Sequence, residues 1–149
     1  MDETVLAYIE IKGSYLMLYR NKKANDINEG KWVGIGGHLE KGETPDIALK
    51  REIKEETNLD VKKYRYVAKL LFINKDYKEI MHLYKVTEVD GNIGECNEGE
   101  LRLIPKENIH LLNMWEGDKY FLNRLDDDYF ELTLIYENDA LLEVKEGIN

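Results

Sequence analysis

A single cysteine, Cys96, occurs in the 149 residues, so no internal disulfide can staple the fold, and a reducing compartment suits the chain. Two prolines leave no proline-rich linker, and no apolar run approaches the length of a membrane span. Positive charge is short as well. With 21 basic against 30 acidic residues the formal charge is −9, which argues against the basic face that a binder of long nucleic acid presents. Three histidines, His38, His82 and His110, show no metal-ligand spacing. The first residues, MDETVLAYIEIKG, run at once into a strand pattern, without the basic-then-apolar order of a signal peptide. A cytoplasmic protein with no membrane partner is expected. Length and the 43% apolar content predict one α+β domain over residues 1–149, with a core of its own.

What the chain has in excess is glutamate, and it is concentrated. Residues 36–59 read GGHLEKGETPDIALKREIKEETNL and hold Glu40, Glu43, Glu52, Glu55 and Glu56. Thr44 is a good N-cap, Pro45 suits the first helical position, and Asp46 complements the positive end of the helix dipole. Asn58 tolerates the left-handed conformation that ends a helix. Between these caps Leu49 and Ile53, four apart, form the buried stripe.

Glu52, Glu55 and Glu56 stand at i, i+3 and i+4, so their carboxylates leave one helical face. Such pairs repel by a few tenths of a kcal/mol each, roughly. Glu55 and Glu56 also sit at the negative end of the dipole. One reading is a solvated acidic face balanced by Lys50 and Lys54. The other is a site where something positive offsets the repulsion; ligands that are all oxygen point to a hard cation, Mg2+ or Mn2+.

From Gly37 the order is glycine, five residues, Glu43, seven residues, then Arg51-Glu52-Ile53-Lys54-Glu55-Glu56-Thr57-Asn58-Leu59. This resembles the Nudix box, G-x5-E-x7-R-E-U-x-E-E-x-G-U, where U is a bulky aliphatic. Asn58 replaces the last glycine, a position whose left-handed conformation asparagine can adopt.

The resemblance implies a Nudix fold, a mixed β-sheet sandwiched between α-helices, and hydrolysis of a diphosphate with divalent cations. It implies Glu52, Glu55, Glu56 and Arg51 as the catalytic set. Metal would be held by Glu52, Glu55, Glu56, the Gly36 carbonyl and an acid outside the box, Glu98 first and Glu100 in reserve. Glu52 and Glu98 are both candidates for general base. Arg51 is expected to hold Glu43 or Glu52 in place.

Outside the box, KWVGIGGHLEKGET and MWEGDKYFL resemble the MutT-type branch, whose oxidised-purine nucleoside triphosphatases release monophosphate and pyrophosphate. That likeness implies a substrate pocket from Lys23, Val33, Gly37, His38, Trp115 and Asp118. Val33 and Gly117 depart from the base-reading residues of such enzymes. The expected substrate is an oxidised purine nucleoside triphosphate such as 8-oxo-dGTP. Nucleotide sugars, dinucleoside polyphosphates and RNA 5′-triphosphates are alternatives, as is a non-catalytic nucleotide sensor. Either a monomer or a homodimer is compatible with the chain.

The remaining pattern predicts strands at 4–11, 15–20, 62–73 and 79–89, a short one at LRLIP, and two more in YFELTLIYE and LLEVKE. A helix is expected over 115–125, and Gly13-Ser14 as the first hairpin turn.

Overall fold

The computed structural model describes residues 1–148. A mixed sheet is built from β1 (Asp2–Ile11), β2 (Ser14–Tyr19), β3 (Trp32–Val33), β4 (Ile35–His38), β5 (Asp60–Asn74), β6 (Tyr77–Asp90), β7 (Glu100–Pro105), β8 (Phe130–Glu137) and β9 (Ala140–Glu146). Its main path runs β3-β2-β1-β6-β5-β8-β9, with β4 on β1 and β7 on β2. The β1–β6 and β5–β8 pairs are parallel and the others antiparallel.

Strand alternation sends side chains to two cores. On one face Val5, Ala7, Ile9, Leu16, Leu18 and Tyr84 pack with Ala48, Leu49 and Ile53 of α1 (Pro45–Thr57). On the other, Tyr8, Tyr15, Met17, Leu83 and Leu132 meet Ile109, Met114, Trp115 and Phe121. The period of two in β1 and β2 thus fixes which residues can reach which layer. Helical segments cover both faces, so the expected α+β sandwich is the fold observed.

The helix α1 begins and ends as its caps predict. Thr44 is extended and its hydroxyl accepts the Ile47 N–H at 3.4 Å, while Asn58 sits at φ 68°.

Two expectations need correction. The first hairpin turns on Lys12-Gly13, both at positive φ, because Ile11 pairs directly with Ser14. The helix expected over 115–125 contracts to α2 (Asp118–Leu122). Its flanks form tight turns, with Asp118 N–H to the Trp115 carbonyl and Arg124 N–H to that of Phe121. Gly117, at its start, supplies no side-chain cap. A 3-10 helix over Lys106–Leu111, which has no strong sequence signal, connects β7 to this region. Among the described residues no helix is long and apolar enough to cross a membrane.

Candidate active site

The buried stripe of α1 decides where its acids go. With Leu49 and Ile53 fully buried against the sheet, the next positions round the helix lie at the border of that contact. Glu55 remains exposed, Glu52 is mostly covered, and Glu56 is buried at 7% exposure. Both Glu56 oxygens lack any hydrogen-bond donor among the described residues. What faces them are the carboxylates of Glu52 and Glu98, which are acceptors unless they share a proton.

Arg51 organises the rim. Its Nε and Nη2 donate to the two oxygens of Glu43 at 2.7 and 2.9 Å, and Nη1 to Glu52 at 2.8 Å and Glu55 at 3.2 Å. The His38 carbonyl accepts from Nη2 at 3.0 Å, and Glu40 lies 3.2 Å from Nε. This bidentate bond holds the Glu43 carboxyl down at about 2. Gly37 is needed for the approach of Glu52: a Cβ there would stand 2.6 Å from Oε1.

Across from α1 lies the loop before β7, tied down by the segment after β2. Arg20 binds Asp26 at 2.7 Å and Glu98 at 3.1 Å. The Lys22 N–H donates to the Glu98 carbonyl, and Lys22 Nζ to that of Cys96 at 3.1 Å. A tight turn pairs Cys96 with Gly99. Ligand atoms of Glu56, Cys96 and Glu98 all fall within 4.8 Å of one another.

Burial first, then repulsion from Glu52 and Glu98, pushes the Glu56 carboxyl up to about 9. Burial also raises that of Glu52, against the pull of Arg51. A buried carboxylate with no donor is costly unless a proton or a cation answers it. Glu52, Glu56 and Glu98 could therefore hold a hard divalent ion, and the orphaned oxygens of Glu56 fit that role.

A second group lies on the opposite face of the sheet. Trp115 is buried, packs edge-on against Tyr136 at 5.4 Å, and its Nε1 donates to Asn28 at 2.7 Å. The Lys31 ammonium stands 5.0 Å from the tryptophan ring centre. Asp118 is half-buried; desolvation raises its carboxyl to about 7, with Lys31 pulling the other way. Tyr8 is fully buried and its hydroxyl has no partner among the described residues; burial and Asp118 both disfavour its ionisation. Gly117 donates its N–H to the Tyr136 hydroxyl, and a Cβ at 117 would lie 2.6 Å from that oxygen. The missing carboxylate at 117 thus has a steric counterpart.

The residues expected from sequence fall into place unevenly. Glu52, Glu56 and Glu98 converge, Glu55 stays at the rim, and Glu100 pairs with Arg102 instead. Gly36, in β4, pairs with Leu6 of β1, where a Cβ would strike the Val5 carbonyl. Val33 pairs with Leu18 and packs on the α1-side core. His38 is exposed and lies 3.6 Å from Asp2. Lys23 is exposed and makes no hydrogen bond or ion pair among the described residues; Lys31, not expected, is the cation over Trp115. Asn28, Arg20, Tyr8, Tyr136 and Cys96 were also missed. Only Asn28, in a turn-rich loop beside KWVG, had any local signal.

The NUDIX domain profile matches residues 3–125. The oxidized purine nucleoside triphosphate hydrolase of Mus musculus is 29% identical over 101 residues, 66% of this chain and 65% of that protein. An uncharacterized Nudix hydrolase of Bacillus subtilis is 31% identical over 100 residues, 63% of each. The chain spans under two thirds of the length of these curated relatives. A crystal structure of a MutT protein from Bacillus halodurans superimposes with a TM-score of 0.89, at 24% identity, covering 98% of this chain and 97% of that one.

Proposed function

Because this chain belongs to the Nudix family, we propose that it is a Mg2+-dependent nucleoside triphosphate pyrophosphohydrolase that acts on oxidised purine nucleotides such as 8-oxo-dGTP. The observation that carries this reading is the buried, donorless carboxylate of Glu56 between Glu52 and Glu98. In this reading those three acids hold the ion, with Glu55 and the Gly36 carbonyl at its edge. Bound there, Mg2+ or Mn2+ supplies positive charge to the phosphate chain and makes a nearby water more acidic.

The chain's own groups do the rest. Arg51 keeps Glu52 and Glu43 in fixed rotamers rather than touching substrate. Glu52, raised by burial, suits the acceptance of a proton near neutral pH better than an ordinary exposed carboxylate. Gly37 leaves the space in which that carboxylate works. The resemblance assigns Trp115 as an aromatic wall for a base and Asp118 as the carboxyl at its edge; both lie on the sheet face opposite the box acids. The mouse relative's name supports the choice of oxidised purines.

Assaying 8-oxo-dGTP beside dGTP tests this. Monophosphate and pyrophosphate should form, with at least about 10-fold preference for the oxidised base, the worth of one base-edge contact. Equal turnover of both removes the sanitising role. Val33 and the closed position at Gly117 favour a second reading, another diphosphate such as a nucleotide sugar or dinucleoside polyphosphate. A substrate panel in ¹⁸O-water separates the two and shows which phosphorus is attacked.

A further inference from the structure

We infer that Cys96, Glu56 and Glu98 form a mixed sulfur–oxygen site that captures a thiophilic divalent cation, Zn2+ or Cd2+. Capture stands on the cluster itself; its competition with Mg2+, and hence inhibition, rests on the function proposed above.

Two independent observations carry it. The ligand atoms of the three residues lie within 4.8 Å of one another. The Glu56 carboxylate, more than nine-tenths buried, has no donor at either oxygen among the described residues and is aimed into this space. A buried thiol acting as a small apolar group would account for Cys96 lying in the core beside α1. It would not account for two carboxylates converging on the sulfur.

The turn adds to this. Backbone N–H groups of Glu98 and Gly99 are directed at the Cys96 sulfur and orient it, while burial, with Glu56 and Glu98 nearby, holds its thiol up until a cation answers it. Lys22 pins the Cys96 carbonyl and so holds the backbone that carries the sulfur. Cys96 also lines an open surface cleft with Lys22, Gly94 and Glu95. Thiolate and carboxylate ligands together prefer Zn2+ or Cd2+ to Mg2+, and the thiol proton passes to solvent as the sulfur–metal bond forms.

The metal-free protein is titrated with Cd2+ while its ultraviolet spectrum is followed. A thiolate-to-cadmium band should grow and saturate at one ion per chain. Since Cys96 is the only cysteine, the band reports this residue alone. Glu56→Gln and Glu98→Gln should each weaken the titration by at least about 10-fold while leaving the sulfur in place. Cys96→Ser should lose the band and need more Cd2+ to halt turnover.

No band in the folded wild type, or midpoints unchanged in both glutamine variants, overturns the inference; the glutamine pair decides even if Cys96→Ser misfolds. Mg2+-dependent pyrophosphate release is measured on the same preparation before cadmium is added. Turnover without the band removes this site and leaves the proposed function standing. The band without turnover does the reverse.

Discussion

Replacing Glu56 with glutamine should make the metal-free protein more stable at alkaline pH, an unusual outcome for a residue at the centre of a proposed site. The folded Glu56 carboxyl is raised to about 9 from an ordinary 4.5, chiefly by burial. The native state therefore holds a proton that the unfolded chain has already released. Such a group stabilises fully below 4.5, and its contribution is lost as pH rises towards 9. Between these values the slope is about 1.36 kcal/mol per pH unit. From pH 7 to 8.5 the wild type should lose about 2 kcal/mol relative to Glu56→Gln, or about 4–8 °C in Tm for a chain of this size. That window lies at or above the Asp118 value of about 7, so the other strongly raised carboxylate contributes little slope. Thermal unfolding in chelator across this range is the assay. With Mg2+ at about 100 times its Kd the order should reverse, because only the wild type gains about 2.7 kcal/mol of binding energy. Parallel Tm curves for the two proteins in chelator would refute the reasoning about this buried acid.

Gly37→Ala should fold normally, since its Cβ meets the movable end of Glu52, yet lower kcat by about 100-fold by displacing that carboxylate. A wild-type kcat would show that Glu52 does not work where it lies. Asp118→Asn should remove an inflection near pH 7 from the kcat/KM profile and leave the kcat profile unchanged; an inflection that persists assigns it to another group. Arg51→Lys keeps the charge but loses the two-pronged hold on Glu43, so kcat and metal affinity should fall by about 10-fold or more. Unchanged kinetics would mean that Arg51 is not a positioning residue.

Local rules carried much of this molecule. The caps of α1 were readable because Thr44, Pro45 and Asn58 act on their immediate neighbours, and the structure places all three as expected. That Glu52, Glu55 and Glu56 share one helical face was readable from their spacing, whereas Glu98 was singled out only through the family resemblance. Cys96 was not: its place beside Glu56 depends on a tight turn that brings one loop against α1. Lys31 over Trp115, and Tyr136 against Gly117, likewise depend on how β3 and β8 meet the segment around α2. The helix expected over 115–125 shortened because turns of the 3-10 type, which apolar periodicity cannot distinguish from α, bury Phe121 and Leu125 equally well.

The central claim is that Glu56 is held for a cation. Calorimetric titration with Mn2+ at pH 7.5, repeated in buffers of different ionisation enthalpy, tests it most directly. Binding should release about one proton per chain, the one Glu56 keeps in the metal-free state, and Glu56→Gln should abolish that release. Absence of binding, or binding with no proton released and no change in the variant, would contradict the account.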